Sequence, residues 1–246
     1  MKKSLNQHLL PLLATVIGVL CGAVAFGFRV WHMNTIDARG LLANGHIAGI
    51  LAGIFMLLIP GILLRLSMVL PKDCSRGFCS SWIGFIGYII GALGLAYVPF
   101  RLLSGQADGL TQLTGIVGLA AAVAVVLLAV SHRKGDAGNM ICHGIVSAFW
   151  MLLLLCQYRL WSSESQVYFF GYPLLATVCL MLGSYHRASF AVGLGNPRYY
   201  TFFRTAGIFF CLGAVADSYL GILYLAAAIW AAADNLKLDA CVAEGD

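Results

Sequence analysis

Charge is what this 246-residue chain has least of. Asp, Glu, Lys and Arg make up 10% of it, against 61% hydrophobic residues. A soluble domain carries about 25% charged residues. So small a polar share excludes a water-soluble fold, because the chain has no surface to show to water. Catalytic signatures are missing as well: there is no His-Glu-x-x-His, no Gly-x-Ser-x-Gly, no P-loop and no dinucleotide-binding glycine fingerprint. Ser184-Tyr185-His186 is the only dense local set of nucleophile and base, and it reads as a helix end. No Asp or Glu stands in the middle of an apolar run, which argues against a carboxylate relay through the bilayer centre. Linkers, low-complexity tracts and charge blocks are also missing, so one domain is expected over 1–236, with a short acidic tail over 237–246. That acidic character starts at Asp234, just after the last apolar run, and the stretch is expected to fray.

What the chain has is apolar runs. A helix crosses the hydrocarbon layer in about 20 residues. The runs are Leu9–Val30, Gly45–Leu64, Trp82–Leu102, Leu110–Val130, Ile141–Leu160, Val167–Tyr185, Tyr199–Ala216 and Tyr219–Ala233. The last two cannot be one span, since a helix from Tyr199 to Ala233 would be about 50 Å long. Asp217-Ser218 between them reads as a tight turn, either residue able to cap the eighth helix. Backbone in lipid must satisfy its own hydrogen bonds, so the spans are helices. The expected fold is an all-α polytopic bundle of eight helices in four hairpins.

Eight spans put both termini on one side. That side holds eleven of the 15 basic residues, Lys2, Lys3, Arg65, Lys72, Arg76, Arg133, Lys134, Arg187, Arg198, Arg204 and Lys237. Only Arg29, Arg39, Arg101 and Arg159 fall on the other. By the positive-inside rule both termini are cytoplasmic, in a bacterial-type inner membrane. The net charge of +5 is then a topology signal, and nucleic acid is not an expected partner. Lys2-Lys3 before a long apolar run, with no small-residue cleavage site, reads as a retained first helix.

Cys21, Cys156, Cys179 and Cys211 lie within spans and read as small apolar residues. Cys74, Cys79, Cys142 and Cys241 fall on the reducing side, where no disulfide is expected. Haem needs axial ligands from facing helices. An inner pair from His132, His143 and His186, or the outer pair His32 and His46, has the right residue type but sits at span ends rather than deep within them. Cys74, Cys79 and Cys142-His143 offer zinc-type ligands, yet they come from separate loops without a second short-spaced pair. No metal or cofactor is therefore expected, with a haem- or metal-binding subunit kept as an alternative.

Two patterns remain. Small residues recur at helical spacing, with Gly45, Gly49 and Gly53 in the second span, Gly84, Gly87, Gly91 and Gly94 in the third, and Gly18 and Gly22 in the first. Such faces let backbones approach where lipid gives no hydrophobic drive, which places helices one to three at the centre of the bundle. Pro60-Gly61 and Pro99 are expected to bend the second and third helices. In addition, three outward-running helices end alike, as Phe28-Arg29-Val30-Trp31, Phe100-Arg101-Leu102-Leu103 and Tyr158-Arg159-Leu160-Trp161. Each outward turn carries one carboxylate, Asp37, Asp108, Glu164 or Asp217. Interfacial snorkelling explains such ends. The sharper expectation is that Arg29, Arg101 and Arg159 converge with Asp217 around an outward cavity for a small anionic or zwitterionic solute, since guanidinium forks suit carboxylates and phosphates. A basic, aromatic stretch with Arg187, Arg198 and Arg204 reads as a cytoplasmic docking surface for lipid headgroups or a partner subunit, and Arg204, a turn inside its helix, is the charge most in need of a partner. The expected function is binding or transport of that solute, without enzymatic chemistry. The alternative is a receptor-like membrane subunit acting through a partner.

Overall fold

The computed structural model describes residues 2–34, 47–70, 81–103, 108–133, 138–161, 170–216 and 220–236. Their regular secondary structure is entirely helical: α1 (Lys2–Met33), α2 (Ile47–Ser67), α3 (Trp82–Leu103), α4 (Gly109–Arg133), α5 (Met140–Trp161), α6 (Gly171–Ala191), α7 (Pro197–Ala214) and α8 (Gly221–Asn235). Short polar residues set several starts. Asp108 accepts from the Thr111 N–H at 3.0 Å and Asn139 from that of Ile141 at 2.9 Å. Asn196 accepts from the Arg198 N–H at 3.1 Å, with Pro197 at the first helical position. Gly193, at φ +74°, turns the chain between α6 and α7. The residue before α8 is Leu220, which has no capping side chain; Asp217 and Ser218 lie outside the described residues. Pro60 and Pro99 each sit inside a continuous helix.

Helices α1 to α5 are long and apolar enough to cross a membrane. Leu57, Phe100, Leu93 and Ile116 are 62–79% exposed. Apolar surface on that scale fits lipid and not water, and it supports an integral membrane protein. Helices α6 to α8 fall outside that group. Helices α6 and α7 carry more polar residues than α2 or α3, and α8, at 15 residues, is about 22 Å long, short of the ~30 Å hydrocarbon layer.

Their neighbours explain how they tolerate this. Helices α3 to α8 follow one another in contact, and α8 closes back onto α3, while α1 and α2 pack outside against α7. Each pair α1–α2, α3–α4, α5–α6 and α7–α8 is in contact, as four hairpins would be. Helix α7 touches α1, α2, α6 and α8, and 13 of its 18 residues are buried. The centre is therefore α7, and the expectation that helices one to three form it is corrected. Only 17% of the α2 span is buried, because α2 packs mainly on α1 and α7.

The glycines serve other seams than a mutual contact of α1, α2 and α3. A Cβ on Gly18 would lie 3.0 Å from the Thr205 carbonyl oxygen, and one on Gly22 2.8 Å from Leu212, so α1 presses on α7. Gly49 faces the His32 imidazole, 2.8 Å from a Cβ placed there, whereas Gly61 on the same helix faces open space. Opposite responses are expected. Gly49→Leu should lose about 1–3 kcal/mol through overpacking, and Gly61→Ala should gain up to about 1 kcal/mol of helix propensity. Reversible unfolding in mixed micelles measures both, and a Gly49→Leu variant as stable as the parent would place that face against lipid.

Candidate functional site

We call the end of the bundle where α1 begins and α8 ends the base, and the opposite end the apex. At the base lies a buried charge cluster built from four helices. At its centre is Asp234 in the last turn of α8, with no exposed surface. Tyr88 of α3 donates its hydroxyl to Oδ1 at 2.8 Å, and Tyr200 of α7 donates to Oδ2 at 2.7 Å. Arg204 of α7 donates through Nη2 to Oδ2 at 2.9 Å. Arg187 of α6 brings Nε to 3.7 Å from Oδ1. All five side chains are at most 1% exposed.

The location raises the stakes. A carboxylate in the last turn of a helix faces the negative end of the helix dipole, and unpaired buried charge is costly. Two guanidiniums and two phenols offset both effects. Arg204 also lies 4.9 Å from the centre of the Trp230 ring, a cation–π placement, with its stem against Gly183, where a Cβ would approach Cδ to 3.4 Å. Next to Asp234, Asn235 donates to Thr15 Oγ1 at 2.6 Å and to the Pro11 carbonyl at 3.3 Å, which ties α8 to α1.

The cluster holds more donors than it uses. Among the described residues two guanidiniums face one carboxylate, a formal charge of +1, since Arg stays protonated. Arg204 Nε and Nη1, the Ser184 and Thr201 hydroxyls and the Trp230 indole N–H are buried without a hydrogen-bond acceptor among the described residues. Ser184 is three residues from Arg187, and Thr201 three from Arg204, so each shares a helix face with its arginine.

A second, neutral cluster lies towards the apex. Thr177 of α6 donates to Gln157 Oε1 at 3.1 Å or to the Pro173 carbonyl at 2.8 Å, and its oxygen is 3.0 Å from the Tyr224 hydroxyl. Gln157 in turn donates to Tyr224. These groups satisfy one another.

The outer arginines stand in three different settings. Arg29 is fully buried, 5.6 Å from the centre of the Tyr172 ring, and the Tyr172 hydroxyl donates to the Ala52 carbonyl at 3.0 Å. Arg101 is exposed. Arg159 is exposed and ion-paired with Asp108, the carboxylate that the chain order associates with Arg101. Hydrogen bonds from Thr111, with a smaller contribution from Arg159, hold the Asp108 carboxyl below its usual range. Asp217, like Asp37 and Glu164, lies outside the described residues.

The docking expectation is corrected for two of its three residues. Arg187 and Arg204 have no surface to present, because Asp234 draws both inward. Arg198 is half-buried and donates from Nε to the Leu70 carbonyl, which fastens the end of α2 to the start of α7. The reading of Asp234 as the start of a fraying tail is corrected for the same reason. Among the expected haem ligands, His186 is stacked on Phe203 at 5.4 Å and Tyr199 at 5.7 Å, and His32 and His143 are buried; His46 lies outside the described residues. No group of three or more His, Cys, Asp or Glu able to hold a metal occurs among the described residues. Cys74 and Cys79 lie outside them.

Sequence reasoning placed Arg187 and Arg204 correctly on the base side but missed Asp234, Tyr88 and Tyr200. One signal could have found Asp234: a helix ending at Ala233 is too short to reach the membrane surface, so the residue after it stays inside. No known protein family, curated protein or solved structure matches this chain.

Proposed function

We propose that this protein binds a small anionic or zwitterionic solute inside the bundle, at the base cluster of Arg187, Arg204 and Asp234, as a membrane carrier or solute-binding protein. The observation that carries this reading is that, among the described residues, two buried guanidiniums stand against one buried carboxylate. Ionisable groups at membrane depth are expensive and are kept where they act on a substrate or ion. The surplus donors belong to the same picture, because an anion accepts from all of them. Asp234 already shows how a carboxylate sits between these arginines and phenols. A zwitterion would add an ammonium able to lie against that carboxylate.

With the base cytoplasmic, as the basic residues argue, the site is reached from the inner face. Arg29 is a second buried cation nearer the apex, and a solute crossing the bundle would meet it at the other end of α6 and α7. Arg101 and Arg159 act at the boundary in this reading and form no part of the site.

Ligand-induced stabilisation tests it. An anion binding only the folded protein should raise its stability by about 2.7 kcal/mol at a hundred times its Kd. Acetate, glycine, phosphate and chloride are the probes, each followed as thermal unfolding of the purified chain in detergent. One of them is expected to stabilise the wild type and to lose that effect in Arg187→Met. If none shifts the transition, the cluster is a structural lock and nothing more.

A further inference from the structure

We infer that the solute is a small anion without an ammonium group, held by the nitrogens of Arg204 that Asp234 does not use, together with Ser184, Thr201 and Trp230. This rests on the reading of the base cluster as a binding site and narrows it to one class of ligand.

The hydroxyls carry the argument. A Ser or Thr buried in a helix can satisfy itself on a backbone carbonyl one turn back. Thr15, Thr114, Thr177 and Thr205 do so, donating to the carbonyls of Pro11, Leu110, Pro173 and Thr201 at 2.7–2.8 Å. Ser67 likewise donates to the Leu64 carbonyl at 2.9 Å. Among the described residues the two buried exceptions are Ser184 and Thr201, each 1% exposed and without a hydrogen-bond partner. Both lie beside the same arginine. Thr201 is one turn before Arg204 on α7, and Ser184 follows Gly183, against which the Arg204 stem and Nε pack. Arg204 Nε and Nη1 and the Trp230 indole N–H are unpartnered in the same way among the described residues. The Trp230 ring lies 4.9 Å from the Arg204 guanidinium carbon. Helices α6, α7 and α8 thus bring their unused donors to one guanidinium.

Those donors select the ligand. Guanidinium and indole N–H groups donate and never accept, and a hydroxyl donates wherever an acceptor is offered. An ammonium among them would lie beside a like charge, away from water. Asp234 has no place for one either. Its Oδ1 takes the Tyr88 hydroxyl at 2.8 Å and faces Arg187 Nε at 3.7 Å. Its Oδ2 takes the Tyr200 hydroxyl at 2.7 Å and Arg204 Nη2 at 2.9 Å. Both lone-pair positions of each oxygen are therefore covered, and an ammonium could enter only by displacing a phenol or a guanidinium. The ligand is an acceptor-only anion, such as a small monocarboxylate or a halide. Buried donors without partners cost stability, so the groups that strengthen binding should weaken the fold.

Thermal unfolding of the purified full chain in detergent, titrated with acetate and with glycine, tests this. Acetate should stabilise the wild type. Glycine, the same carboxylate with an ammonium added, should need about tenfold more for the same shift. Ser184→Ala should melt no earlier than the wild type without added anion, yet need about tenfold more acetate, the loss of one hydrogen bond to a charged group. Thr201→Val should behave alike and stands in if Ser184→Ala does not fold. Thr177→Val, whose hydroxyl is engaged, should do the reverse, melting earlier with its acetate response unchanged. A response to chloride in place of acetate supports the inference equally. Glycine as effective as acetate overturns it and leaves the binding reading standing, as does an unaltered anion response in both hydroxyl variants. A wild type that no anion shifts overturns that reading and this inference together.

Discussion

Asp234→Ala is expected to destabilise the protein by about 3–5 kcal/mol, the cost of leaving buried charge without its partner. The variant keeps Arg187 and Arg204 inside the bundle with their common carboxylate gone, and strands the Tyr88 and Tyr200 hydroxyls, which both donate to it. Asp234→Asn should fall between the two, because it keeps the shape and one acceptor oxygen. A fully apolar replacement, Asp234→Leu with Arg187→Met, Arg204→Met, Tyr88→Phe and Tyr200→Phe, should instead be neutral or stabilising by about 1–4 kcal/mol. It should also lose all response to anions. That pair of results separates the two roles of the cluster: a lock is replaceable by hydrocarbon, and a binding site is not. Unfolding of each variant in mixed micelles gives the energies. An Asp234→Ala protein as stable as the parent would show that the arginines find other partners.

The second large effect is expected at the α3–α8 seam. A Cβ on Gly87 would fall 2.2 Å from that of Ala233, and one on Gly94 2.5 Å from that of Ala226. Neither alanine has a flexible end to move aside, so the helices themselves must separate. Between them Gly91 lies against the Trp230 ring, where a Cβ would meet three ring and stem atoms at 2.9–3.0 Å. Gly87→Val should therefore cost about 3 kcal/mol, the upper part of the overpacking range. Widening this seam also shifts Tyr88 away from Asp234, so any anion response should weaken with it. Gly27→Val on α1 is the control, since nothing lies within 4 Å of a Cβ there. Equal stability of the two variants would mean that the seam is looser than the backbone contact implies.

The first five helices were legible because each run carries its own evidence, about 20 apolar residues that leave a lipid-embedded backbone one option, while α7 and α8 were told apart by a combined length of about 50 Å. The order of packing was not. Gly45, Gly49 and Gly53 look like a central face as strongly as Gly87, Gly91 and Gly94 do, and spacing alone does not say which helix receives them. Hydropathy misled in the same direction, since the most apolar helix, α2, is the least covered by protein, and the less apolar α6 and α7 are shielded by it. Arg204 was legible as a charge in need of a partner. Its partner was hidden because Asp234 ends an apolar run, which in sequence looks like a return to water. The outer arginines share one sequence pattern but three environments, from buried Arg29 to paired Arg159. A local motif fixes depth in the membrane, whereas burial depends on which neighbour arrives.

Arrival has an order in time. The first hairpin docks on α7, and Pro197 is made 130 residues after Ser67. At about 5–20 residues per second, synthesis alone separates the two by roughly 7–26 s. Until then α1 and α2 stand in the bilayer with no partner but each other, which requires both to be stable there on hydropathy alone, and each has a span of hydropathy 2.2. The more polar α6 and α7 and the short α8 come last, when a wall of five self-sufficient helices is already in place to receive them. The two arginines wait longest for charge balance, since their carboxylate is the last side chain but one of the folded helices. The bundle is thus ordered by the direction in which it is made, with the helices that need shelter encoded after those that provide it.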